Sequence, residues 1–227
     1  MRATHEHEWE AAPGLPSALP ANEHVVWQGA PDWRSLAAHA FHVPKIALYF
    51  GVMLLVQWIN LATPESGAGW KSWQETDFKP MWVAGSLYAF ALVLLLGTAW
   101  FSASTTLYTL TNKRVVMRIG IVLTLTFNLP YKRIAGASIK AYRQGRGDIA
   151  LALYPQDRIG WAHLWPHQRA WHISHPQPTL RCLPECAQVG QQLLQLWRAE
   201  RADERLILGQ APSPAADLLG RHGGLMA

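Results

Sequence analysis

The sequence predicts an α+β membrane protein: a two-helix transmembrane hairpin followed by a small antiparallel β domain with a C-terminal helix. Three observations predict it. Two long runs carry no charge. After residue 104 the apolar residues recur every second position. After Pro184 they return to a helical spacing.

Composition sets the frame. The chain has 227 residues, of which 50% are hydrophobic and 15% charged. An ordinary soluble domain carries roughly 25% charged residues. The deficit excludes a disordered chain and argues against a plain cytosolic enzyme. Twelve tryptophans fit a membrane–water interface, where the indole body is buried and its N–H stays wet. Two cysteines are too few for a disulfide framework. The net charge of +5 is uneven: residues 1–42 carry −3, residues 102–183 carry +9 and residues 184–227 carry −1. A basic block of this kind faces anionic lipid, nucleic acid or an acidic partner.

Residues 1–42 read as a cytoplasmic N-terminal segment. Within it, residues 23–43 suggest an interfacial amphipathic helix starting near Asp32 or Ser35. Ile46 to Ala62 is a 17-residue uncharged run, completed by Val43, Pro44 and Lys45. Met81 to Phe101 is a 21-residue uncharged run. About 20 residues cross a hydrocarbon core at 1.5 Å rise each. The spans are therefore 43–62 and 81–101, and Lys45 snorkels to the headgroups. The connector 63–80 has two lysines against three acids, whereas Lys113, Arg114 and Arg118 follow the second span. The positive-inside rule places both termini in the cytoplasm and the connector outside. Trp58, Trp70, Trp73 and Trp82 then mark the outer interface, and Trp100 the inner one. No signal peptide is expected, since acidic residues precede a first apolar run that begins beyond residue 40.

Residues 104–200 form the β domain. Thr106, Tyr108 and Leu110 alternate up to a turn at Asn112–Lys113, and Val115, Met117 and Ile119 follow. Ile121, Leu123, Leu125 and Phe127 share the face of a half-buried strand. The run 145–148 (Gly-Arg-Gly-Asp) reads as a hairpin turn before Ile149, Leu151 and Leu153. A short strand at Thr179–Leu183 ends at Pro184, a good first-turn residue. Val189, Leu193, Leu196 and Trp197 form the stripe of an amphipathic helix. Residues 201–227 read as a flexible tail, rich in Gly, Pro and Ala toward the end.

The string YTLTNKRVVMRIG (108–120) resembles the opening hairpin of bacterial membrane-attached pleckstrin-homology-like (PH-like) domains, with its Tyr-x-Leu-Thr-Asn-x-Arg pattern. Trp27-Gln28-Gly29-x-Pro31 is similar to the segment such proteins place before their first helix. WQGAPDWRSLAAHAFHV (27–43), NLPYKRI (128–134), GRGDIALAL (145–153), HLWPHQRAW (163–171) and PQPTLRCLP (176–184) together resemble PuhB-type photosynthetic-complex assembly proteins of purple bacteria. The resemblance covers roughly residues 6–200. It implies a gene near that of the reaction-centre H subunit. It also implies a non-enzymatic role in assembling the reaction-centre/core light-harvesting (RC-LH1) complex in the inner, intracytoplasmic membrane. The implied partners are reaction-centre or core-antenna subunits. The alternative is a general PH-like membrane protein that binds lipid or a protein partner without a photosynthetic role. A homodimer is compatible with Gly85 and Ala89, small residues one turn apart on the second span.

The candidate sites follow from residue type. Trp161, His163, Trp165, His167, Arg169 and Trp171 crowd an irregular stretch around Pro166. Trp and Arg dominate interface hot spots, so the segment reads as a partner-docking site or, equally, as a loop capping the core. Trp27 and Trp33 mark a second contact region. Lys113, Arg114, Arg118, Lys132 and Arg133, with Lys140, Arg143 and Arg146, are expected near the membrane exit, facing headgroups at about 1 kcal/mol each. Nucleic acid is not expected, because no aromatic stacking platform accompanies these charges.

No hydrolase, nucleotide-binding or zinc-protease motif occurs. Asp148 and Asp157 are the only carboxylates of the domain before its terminal helix, too few for acid–base chemistry. No metal is expected. Pro166 breaks the helix that would align His163 with His167, and Cys182 and Cys186 straddle Pro184. No cofactor is expected either. Contact with bacteriochlorophyll would fall to His39 and His42, since neither span contains a histidine, and both residues read first as interfacial polar groups.

Overall fold

The computed structural model describes residues 14–15, 17–63, 77–120, 124–157 and 159–210, with side chains to residue 203. The chain runs β1 (Val25–Gly29), α1 (Trp33–His39), α2 (Val43–Ala62), α3 (Lys79–Thr105), β2 (Leu107–Thr111), β3 (Arg114–Ile119), β4 (Leu125–Pro130), β5 (Ile134–Ala141), β6 (Gly147–Leu153), α4 (Trp161–Leu164), β7 (Thr179–Leu183) and α5 (Cys186–Gln210).

The helices begin where local chemistry starts them. Asp32 caps α1, its carboxylate accepting from Ser35 N–H at 3.0 Å. Proline sits in the first turn of both α2 and α3, where a missing N–H costs nothing. Both are long and apolar enough to cross a membrane. α2 matches the predicted span, and α3 extends the second from 81–101 to 79–105. They pack side by side, with Phe50 stacked on Tyr88 at 4.4 Å. Their outer faces are uncovered: Leu48, Val83, Leu87, Phe90 and Val93 are all exposed. Uncovered apolar surface on this scale marks contact with lipid or with another protein. α3 is buried only near its C-terminal end, at Ala99, Ser102 and Ala103. There α1 lays Leu36 and Ala37 against it, together with Phe41 of the following link and Cys182.

Among the described residues, seven strands form two antiparallel sheets, ordered β1-β2-β3-β4 and β5-β6-β7. The helical hairpin is inserted between β1 and β2, which pair directly, Trp27 opposite Leu110 and Gly29 opposite Tyr108. The two flanks of the hairpin therefore lie on one side of whatever it crosses.

A helix stands where the sequence placed one after Asp32, but it is short, Trp33–His39, and the residues before it form a strand that the sequence reading did not contain. Five residues at a sheet edge, with a bulge between Val25 and Trp27, show no period to read. N-terminal residues thus belong to the domain.

Tyr108, Leu110, Val115 and Met117 of the first sheet meet Ile149, Leu151 and Leu180 of the second in the main core. α5 closes it with Val189 and Leu193, each contributing roughly 1.5–3 kcal/mol by burial. Leu196 and Trp197 pack on its margin, and Trp197 Nε1 donates to Ile134 O at 3.1 Å. The β5–β6 turn uses left-handed Gln144 and Gly145, the latter at φ +73°. α5 continues to Gln210, ten residues beyond the predicted end of the domain. Charged residues there end the apolar stripe without ending the helix, and the first proline comes only at 212. Trp70 and Trp73 of the connector, residues 121–123 of the predicted strand and residues 211–227 of the predicted tail lie outside the described residues.

Candidate functional site: the tryptophan segment and basic cleft at the helix exit

The β2–β3 turn occupies the Thr-Asn-Lys-Arg string, and each of its side chains binds another part of the domain. Thr111 Oγ1 donates to Glu23 Oε1 at 2.7 Å and accepts from Arg114 N–H at 3.0 Å. Asn112 clamps the N-terminal segment, accepting from His24 N–H at 3.0 Å and donating to Asn22 O at 2.9 Å. Lys113 pairs with Glu200 of α5 at 2.7 Å, which raises its pKa. Arg114 pairs with Glu23 at 2.8 Å. One turn therefore ties β1 and α5 to the sheet.

This relocates half of the predicted basic face. β2 leaves α3 at Leu107, so Lys113 and Arg114 sit at the end of the β2–β3 hairpin remote from α3. Lys132 and Arg133 join them, because Tyr131 N–H donates to Lys113 O at 3.2 Å. Arg133 pairs with Asp157 at 3.2 Å. Arg118 returns to the exit, opposite Leu107. Strand β5 then spans roughly 20 Å to Lys140 at the exit end. Direction reverses along each strand, so basic residues close in sequence part to opposite ends of the sheet.

The Trp161–Trp171 segment is divided in the same way. Leu164 and His167 point inward, fully buried. His167 is a pin rather than a contact residue. Tyr108 Oη donates to Nδ1 at 2.6 Å, while Nε2 faces Thr106 Oγ1 at 3.1 Å and Ser102 Oγ at 3.2 Å. Thr106 Oγ1 gives its own hydrogen to Ser102 O at 2.6 Å, so Nε2 carries the imidazole proton. Burial, then the Arg181 charge, push the His167 pKa down to about 3. Burial also raises the Tyr108 pKa.

The remaining residues of the segment face outward. Trp161, His163 and Trp165 are exposed, and Trp165 meets Phe41 edge-to-face at 5.7 Å. The Trp165–Pro166 peptide is cis, and Trp171 is 94% exposed in a left-handed conformation. Arg169 Nη1 donates to Gln177 Oε1 at 3.0 Å. Trp33 is exposed under Arg34, 5.5 Å from its ring centroid, whereas Trp27 packs against the core and offers less surface. The segment is thus both a core cap and an exposed aromatic surface, fastened to the last turn of α3.

Beside it opens a cleft of about 800 Å³, bounded by the α1–α2 junction, β5 and residues 165–172. His39 flanks it, stacked on Tyr142 at 3.9 Å, with Nδ1 3.0 Å from Ser35 O. His42 is exposed at the start of α2. Sequence reasoning missed this cleft because its walls come from five distant segments.

Among the described residues, no group of three or more His, Cys, Asp or Glu side chains is placed to hold a metal ion. Cys182 lies with α1 and α3, and Cys186 in the main core. Burial pushes their thiols up to about 12 and about 11, so both are protonated at neutral pH.

A family model described as "Bacterial PH domain" matches residues 44–197. The chain is 33% identical over 225 residues to an "Uncharacterized 23.7 kDa protein in puhA 5'region" of Rhodobacter capsulatus, covering 94% of this chain and 97% of that protein. No solved structure gives a significant match.

Proposed function

This chain belongs to the bacterial PH domain family, and from that premise we propose that it is a non-enzymatic assembly factor for the RC-LH1 complex. The α2–α3 hairpin holds it in the inner, intracytoplasmic membrane of a purple bacterium, with both termini cytoplasmic. Its partners are reaction-centre or core-antenna subunits. The hairpin lies beside the partner's helices, and the β domain docks on their cytoplasmic surface.

The observation that carries this reading is the exposed Trp161/Trp165/Trp171 surface, fastened through His167 to the end of α3. A neighbouring protein in the bilayer would meet that surface as its own helix emerged. The genomic setting of a relative supports this reading. The sequence resemblance implies a gene near that of the reaction-centre H subunit, and the relative from Rhodobacter capsulatus is described by its place beside puhA. The pairing of β1 with β2 supports a two-pass topology with equivalent flanks.

Deletion of the gene should lower the near-infrared absorbance of the core complex, and the wild-type gene should restore it. Normal core-complex levels in the deletion strain would refute the proposal.

A further inference from the structure

We propose that the cleft at the α1–α2 junction binds the phosphate diester of an anionic phospholipid headgroup, drawn from the leaflet in which α2 begins. The inference rests on the reading of α2 and α3 as membrane spans, but not on a photosynthetic partner.

Charge is the first argument. Lys45, Lys140, Arg169 and Arg181 line the cleft against one carboxylate, Asp148. Asp148 is already engaged: Tyr142 Oη donates to it at 2.6 Å, and Cys182 N–H at 2.8 Å. It does not neutralise the other three cations.

Arg181 is the second. Its side chain is only 11% exposed, and it approaches Asp148 at 3.8 Å. That is an ion pair too long for a hydrogen bond. Its Nε is buried with no hydrogen-bond partner, and so is Gln168 Oε1 in the same cleft wall. A buried guanidinium N–H without an acceptor costs free energy unless something supplies one. A phosphate seated at the cleft wall supplies the anionic charge that this largely buried guanidinium does not receive through a hydrogen bond from Asp148.

Position selects a lipid over a soluble phosphate. Lys45 lies in the first turn of α2, next to Ile46, where the uncharged run begins. The rim carries the exposed rings of Trp165 and Trp171. Tryptophan and snorkelling lysine both settle at headgroup depth. A cleft at that depth has headgroups as its nearest concentrated anions.

The test uses the full-length protein in nanodiscs of equal phosphatidylglycerol and phosphatidylcholine. After gentle detergent extraction, retained lipid is counted by native mass spectrometry. Phosphatidylglycerol should be retained over phosphatidylcholine. Lys140→Gln and Arg169→Gln, both at exposed positions, should each reduce retention roughly fivefold. Arg181→Gln should reduce it further. Lys132→Gln, an equal charge change at the remote end of the sheet, should leave it unchanged.

Equal retention of both lipids, or equal loss in the Lys132 variant, would overturn the proposal. So would competition by soluble glycerophosphoglycerol at the lipid's own concentration, which would identify a soluble phosphate ligand. An acidic polypeptide lost from the Lys140 and Arg169 variants while lipid retention held would make the occupant a protein. A chain that failed to enter nanodiscs would refute the membrane reading itself. Entry without lipid selectivity would refute only the cleft.

Discussion

The hydroxyl of Tyr108 donates to Nδ1 of His167 at 2.6 Å, joining residues 59 positions apart in a fully buried network. The same imidazole reaches Ser102 and Thr106 at the end of α3. The exposed tryptophans therefore do not hang on a free loop. They move with the helix that enters the domain.

Tyr108→Phe removes the donor to His167 and the acceptor of Arg181 N–H, which lies 3.2 Å from the hydroxyl. Both partners are then left unsatisfied in or beside the core. The substitution should cost about 1–3 kcal/mol, read as a lower melting temperature in detergent. An unchanged melting temperature would show that the network contributes nothing.

The same network predicts an acid sensitivity. His167 stays neutral in the folded protein down to about pH 3, whereas the unfolded chain protonates it near pH 6.5. Below pH 6.5 the unfolded state therefore binds the extra proton, and stability falls as pH falls through 6.5 toward 3. The loss should reach about 2 kcal/mol by pH 5. His167→Gln should lower stability at pH 7 but flatten this slope. A wild-type slope retained in the variant would assign the titration to another group.

Glu23 and Arg114 hold β1 to the β2–β3 turn at 2.8 Å, with Glu23 almost buried. Glu23→Ala should cost about 1.5–3 kcal/mol, because it strands a partly buried guanidinium. Amide exchange should accelerate first across β1. Exchange that rose uniformly would mean that β1 is no separate unit.

The outward tryptophans should behave in the opposite way. Trp171 is almost wholly exposed, so Trp171→Ala should change stability by less than about 0.5 kcal/mol. Combined with Trp165→Ala and Arg169→Ala, it should weaken recovery of partner subunits while protein level holds. Parallel loss of protein and partner would return the segment to a purely structural role.

Topology is open to a direct check. A reporter fused at residue 70 should prove periplasmic, and one fused after residue 203 cytoplasmic. The β1–β2 pairing requires residues 25 and 111 to share a side, so reporters that separated them would contradict the fold.

The sequence made some of this legible and hid the rest for physical reasons. Long uncharged runs and the period-two alternation of Tyr108, Leu110, Val115 and Met117 need no tertiary information, and those elements stand where their patterns place them. The stripe Val189, Leu193, Leu196 and Trp197 likewise faces the core. β1 was hidden because an edge strand of five residues has little pattern. The burial of His167 was hidden because its partners lie about 60 residues upstream. The basic residues were legible as a set but not as a surface, since strand reversal sends Lys113 and Lys140 to opposite ends. Arg181 gave no signal at all, because its unmatched N–H exists only once β7 packs beneath the cleft.

The proposed function stands on physical engagement of the photosynthetic core complex. The most direct measurement is a gentle-detergent affinity pull-down of the tagged chain from phototrophically grown membranes, read by mass spectrometry and absorbance. Reaction-centre or core-antenna polypeptides carrying near-infrared pigment bands should be recovered, and should be depleted in the Trp165/Arg169/Trp171 variant. Recovery of lipid alone, or of unrelated membrane proteins, would contradict the proposal.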